Sequence, residues 1–182
     1  MLIVFTRHTG GDSTALIHRA DRVVVELRSV GRKASVPHDL VHAVTERELG
    51  FSRGVFGTIA SGGMFVGMRV VSGRPRHDAA ARSERVLKAN GRHLTVAELL
   101  AAAVHGGVEH GRDAFSQARS DWGIVDTAPF PWTGAQVRSA VDTLRELAGV
   151  WATVAPGGGL ELTWPDRLTE PVPAAPVTRR RR

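Results

Sequence analysis

The chain has 182 residues, 42% hydrophobic and 23% charged, which suits one globular core and is too apolar for wholesale disorder. It contains no Cys and no Tyr, which excludes disulfides, thiolate metal sites, iron–sulfur clusters, Cys nucleophiles and tyrosyl acid–base chemistry. The formal charge of +6 divides into +4 at Arg179, Arg180, Arg181 and Arg182, +4 over residues 72–93, and −2 over the rest.

Residues 2–8 read as a strand, closed by the turn Thr9-Gly10-Gly11-Asp12. Val- and Ile-rich strands at about 14–20 and 22–28 follow, joined at Asp21-Arg22, and complete an N-terminal antiparallel meander. Thr9 to Leu16 resembles the phosphate loop of ATP pyrophosphatases but is one residue short and leads into a strand, so a plain Gly-Asp turn is the expectation. No Walker loop, dinucleotide fingerprint or Gly-x-Ser-x-Gly elbow occurs.

Pro37 announces a helix over 37–49, with Asp39 near its positive end and Gly50 as its stop. Residues 54–61 suggest a short second helix, and 64–71 a strand or buried segment. Residues 72–93 read as a basic, flexible connector, partly helical. Capping-box patterns at Thr95/Glu98 and Thr133/Gln136 mark two further helix starts, with Leu94/Leu99 and Trp132/Val137 as staples. The first of these helices is expected to break at Gly106-Gly107 and resume to about Ser120, the second to stop at Gly149. Residues 150–155 and 160–164 alternate around Pro156-Gly157-Gly158-Gly159, which predicts a C-terminal β-hairpin. The expectation is one α+β domain over 1–166: meander, several helices, hairpin. Residues 167–182 form a disordered Pro/Arg-rich tail. With no signal-like or spanning segment, a soluble cytoplasmic protein without membrane contact is the default.

Pro37-His38-Asp39-Leu40-Val41-His42 carries the candidate chemistry. His38 and His42 are four apart, so they share a helical face and can share a metal, zinc or another divalent ion. An acidic residue follows the first His, as in the zincin metal helix His-Glu-x-x-His, to which the segment is similar. Asp39 stands where that helix has Glu and is the candidate general base. Glu46 is one turn past His42, and 12 Å from His38 along the axis by the usual rise (about 1.5 Å per residue), so its expected role is to orient His42. Asp39 and Glu46 are thus the candidate catalytic residues of a metal-dependent hydrolase, and His38 and His42 the metal ligands. The third ligand is open among His105, Glu109, His110, His8, His18, His77 and His93. The alternative is that His42 merely hydrogen-bonds Glu46 in a packed core.

The Pro-His-Asp-Leu-x-His helix, with Glu46, Gly54–Gly57, Gly157–Gly159 and the Leu162–Pro165 strand, resembles a family of uncharacterised bacterial proteins. That resemblance spans most of residues 1–166 and implies no activity.

A different functional class also fits the pattern. Two helices followed by a hairpin suggest a winged-helix, non-catalytic regulatory module with 134–148 as the DNA-reading helix. The hairpin, however, carries only Glu161 as a charge, whereas a DNA wing uses basic groups on phosphates. Arg179 to Arg182 remain an arm for nucleic acid or an acidic partner. Trp122, Trp132, Trp151 and Trp164 are expected in the core.

Overall fold

A computed structural model describes residues 1–29 and 35–175. The residues beyond Ala175, including the four terminal arginines, lie outside the described residues. The architecture is α+β: a five-stranded antiparallel sheet with five α-helices among the described residues. Strands β1 (Leu2–Arg7), β2 (Ser13–His18) and β3 (Val24–Ser29) form the expected meander. Alternation decides which face is buried. Ile3, Phe5, Ala15, Ile17, Val23 and Val25 are buried, whereas Val4, Leu16 and Glu26 point the other way and are only half-buried.

Helix α1 (His38–Leu49) begins after Pro37, whose extended backbone suits the N-cap. It stops at Gly50, which takes the left-handed conformation at φ 66° that glycine adopts without strain. Helix α2 (Val55–Ala60) follows, and β4 (Arg69–Ser72) returns to pair with β3 as an exposed edge.

Helix α3 differs from expectation. It runs unbroken from Ala79 to His110, so residues 79–93 of the supposed connector are helical and no helix begins at Thr95. Ser83, Val86 and Asn90 are buried in this stretch, which is why it orders despite its basic surface. Gly106 and Gly107 stay within the helix. Val141 and Ala114 stand 3.1 and 3.2 Å from where a Gly107 Cβ would lie, so the glycine admits close packing rather than a break. The helix ends at Gly111, and α4 (Ala114–Val125) starts with Asp113 accepting from the Phe115 and Ser116 N–H groups.

The capping box at Thr133 and Gln136 is present and starts α5 (Gly134–Thr153). Its buried stripe of Val137, Ala140, Val141 and Leu144 packs against α1 and α3. The helix continues through Gly149 to Thr153, so residues 150–153 are helical and the predicted C-terminal hairpin does not form. Trp151 is buried by the helix, and that burial outweighs the alternating pattern of 150–155. Strand β5 (Gly159–Thr163) pairs instead with β1, at the far edge of the order β4-β3-β2-β1-β5. The winged-helix alternative loses its wing for the same reason. Order also extends past residue 166: Leu168 is buried, Ser52 donates to Glu170, and Arg85 donates to the Pro173 carbonyl.

Trp151 and Trp164 are core residues, whereas Trp122 and Trp132 are half-buried in an aromatic cluster with Phe130. Trp132 also donates from its indole to the Leu49 carbonyl at 2.8 Å, tying the end of α1 to the segment before α5. Among the described residues no helix is long and apolar enough to cross a membrane.

Candidate metal centre

Helices α1 and α3 pack side by side, and small residues on α3, Ala97 and Ala101, allow a close approach. One edge of that contact gathers His38, His42 and Glu98. His38 Nε2 and His42 Nε2 are 3.1 Å apart. Glu98 Oε2 lies 3.4 Å from the first and 3.2 Å from the second. The two imidazoles meet edge to face, with centroids 4.6 Å apart. Three donor atoms thus form a nearly equilateral triangle.

Its size has a chemical meaning. Ligand atoms about 2.05 Å from a tetrahedral zinc stand about 3.3 Å from one another. The observed edges of 3.1–3.4 Å match that spacing. His42 is buried, with 2% of its side chain exposed, whereas His38 and Glu98 are 56% and 58% exposed. The triangle therefore has a protein side and an open side.

Behind His42 stands Glu46, itself buried at 1%. Its Oε1 is 3.4 Å from His42 Nδ1. The same oxygen accepts from the Val55 N–H at 2.7 Å, while Oε2 accepts from Phe56 at 2.9 Å and Gly57 at 3.4 Å. These are the first N–H groups of α2, which have no partner within their own helix. The buried carboxylate is thereby compensated by backbone donors as well as by the His42 ring. Gly54 makes the arrangement sterically feasible, since a Cβ there would stand 2.3 Å from Glu46 Cδ.

Electrostatics follows from this packing. Burial works against a charged His42 ring, but hydrogen bonding to Glu46 and Glu98 overcomes it and lifts the pKa to about 9. The His42 ring in turn holds the Glu98 carboxyl below the usual carboxylate range. Asp39 faces the opposite pressure: burial raises its carboxyl pKa, against the attraction of His42 and His38. The Ser29 side chain hydrogen-bonds Asp39, and Asp39 Oδ2 is buried without a partner.

The sequence-predicted residues thus divide. His38 and His42 converge, Glu46 touches His42, and Asp39 lies beside the pair without joining the donor triangle. None of the seven residues considered as third ligand belongs to the cluster. His105 instead pairs with Glu109 at 3.4 Å, Glu109 also accepts from Ser35, His93 lies tilted against Phe51 with ring centroids 6.1 Å apart, and His8 bonds Thr14. Glu98 was missed because Thr95-x-x-Glu98 matched a capping box, which assigned its carboxylate to a helix start that does not exist. The available signal was its place beside the Ala97, Leu100, Ala101 stripe, which puts it at the edge of the face that meets another helix.

Comparison with family models, curated proteins and solved structures gives no match for this chain.

Proposed function

We propose that the chain binds one divalent cation, zinc by its donor types, through His38 Nε2, His42 Nε2 and Glu98 Oε2, and uses it for hydrolysis. The observation that carries this reading is the donor triangle, with all three edges between 3.1 and 3.4 Å. Two imidazoles and one carboxylate with an open fourth direction are the composition of catalytic zinc centres, whereas closed structural sites use four protein ligands, commonly thiolates. His38, His42 and Glu98 would hold the ion, and zinc held there would supply a water acidic enough to ionise near neutral pH. Glu46 Oε1 stands 3.4 Å from His42 Nδ1, on the side of the ring where a carboxylate orients a metal-bound histidine. Asp39, one residue past His38 as in the zincin helix, serves as the base in this reading. Its Oδ2 is buried and has no hydrogen-bond partner to hold it away from that role.

Metal analysis of the full chain, purified without an affinity tag that binds metal, tests the first step. One zinc per chain is expected, lost in His42→Ala and in Glu98→Gln, with circular dichroism checking that the fold persists. A chain that is isolated without zinc, and that gives no heat with added zinc, overturns the proposal. Asp39→Asn tests the second step: it should retain zinc and lose hydrolysis of activated esters and peptides. Wild-type zinc protein inactive on every such substrate would leave a binding protein, not a hydrolase.

A further inference from the structure

A second site lies away from the donor triangle. The N-terminal turns of α3, the end of α2 and the β2–β3 turn enclose a cleft of about 980 Å³. That is the size of a small-molecule pocket and is ample for an extended chain. Its walls are apolar, with Val23, Ala60, Met64, Val70, Leu87 and Val172 among them. Lys88 lines it ten residues before Glu98, about 15 Å away along α3. The cleft is therefore not part of the metal centre.

Two polar groups at one end are unusual for an apolar cleft. Ser61 is 7% exposed, and its Oγ is buried with no hydrogen-bond partner. A buried hydroxyl left unpaired costs stability that a bound acceptor would restore. Next to it, the Arg19 guanidinium lies over the Gly62 backbone, with Nη2 3.6 Å from where a Gly62 Cβ would stand. Asp21 holds Arg19 through Nε and Nη2, and only 11% of the Arg19 side chain is exposed. This fixes the planar fork and leaves Nη1 without a partner among the described residues. Arg82 and Lys88 line the same cleft and make no ion pair with a described carboxylate. The acidic residues lining it are Asp21, committed to Arg19, Glu170, which accepts from Ser52, and Glu84.

We infer that this cleft binds an amphipathic anion, a carboxylate with a long apolar tail, whose head accepts from Ser61 Oγ and Arg19 Nη1. The tail lies along Met64, Val70, Leu87 and Val172; at the rim Arg82 and Lys88 stand against Glu84 and Glu170, so the preference for an anion rests on Ser61 and Arg19, with Arg82 as a further donor. Anion preference and an apolar wall are both needed: the first excludes cationic amphiphiles, the second excludes small inorganic anions.

Calorimetry on the full chain with dodecanoate, dodecyltrimethylammonium and acetate tests this. Dodecanoate is expected to bind one per chain, and the other two at least tenfold more weakly. Ser61→Ala and Arg82→Gln should each weaken dodecanoate several-fold, and Leu87→Arg should abolish its binding. Arg19→Gln should weaken it further. If that variant unfolds, the Arg82→Gln change, at a half-buried side chain, decides the head group alone. Equal affinity for the two charged amphiphiles overturns the anionic head, and dodecanoate binding that survives Leu87→Arg overturns the location. Zinc content of the same variants should be unchanged, which separates this site from the metal centre.

Discussion

Replacing Glu46 by Gln changes one buried charge at almost constant volume. In the native site its two oxygens serve three N–H groups at 2.7–3.4 Å and face His42 Nδ1 at 3.4 Å. Glutamine offers one oxygen and one NH₂, so either the Val55 or the Phe56 N–H must face another donor. Hydrogen bonds to a charged acceptor are worth about 1.5–3 kcal/mol each, and removing one partner of a buried ion pair costs about 3–5 kcal/mol. These effects share the same atoms and do not add. The expected loss for Glu46→Gln is therefore about 3–5 kcal/mol, a large part of an ordinary domain's 5–15 kcal/mol, about half of the total in a mid-range case. Guanidinium unfolding of the chelator-treated chain measures it, and nuclear magnetic resonance titration of His42 provides a second readout. The His42 pKa should fall from about 9, because burial is then opposed by Glu98 alone. A loss under about 1 kcal/mol, together with an unmoved His42 titration, would refute the claim that Glu46 joins α2 to α1.

Three further outcomes follow from the same structure. In the metal-free chain, His42 has a folded pKa of about 9 against an unfolded value near 6.5. A raised pKa stabilises fully below pH 6.5 and loses its contribution as pH rises through 9, so chelator-treated protein should weaken by up to about 3 kcal/mol over that window in pH-dependent denaturation. Gly54→Ala should destabilise by an amount similar to Glu46→Gln, since the new methyl would overlap the Glu46 carboxylate; thermal melts of the two single variants and the double variant should show strong non-additivity. Thr133→Ala removes the capping box of α5 and should cost about 1 kcal/mol, read by chemical denaturation, with zinc content unaltered.

Much of this was written in local pattern. The meander is legible because its strands alternate at period two, and α1 because Pro37, the apolar spacing and Gly50 agree. The Thr133 box is legible because Gln136 reciprocates it. His38 and His42 were readable as a pair because four-residue spacing alone puts them on one face. What local pattern could not supply was the identity of neighbours. Glu98 reaches the histidines only because α1 packs on α3, which brings together residues more than fifty positions apart in the chain. Residues 79–93 looked like a solvated connector because their charges dominate the composition, while the few buried contacts of Ser83, Val86 and Asn90 decide the structure. Residues 150–155 looked like a strand because a short alternating run cannot be told from the last turn of a helix until burial of Trp151 is known.

The pairing of β5 with β1 also bears on how this chain is made. The first strand enters the sheet with β2 within a few residues, but its other neighbour, Gly159–Thr163, is synthesised more than 150 residues later. Until then the β1 edge presents unpaired N–H and C=O groups over Leu2–Thr6 to anything that can add a strand. The helices that carry the donor triangle can assemble beforehand, since α1, α3 and α5 all precede that strand. A nascent chain can thus hold α1, α3 and α5 together while its sheet is still open. Pairing β5 with β1 closes a long loop, a contact that costs more entropy than the local β1–β2 pairing and leaves the β1 edge open until it forms.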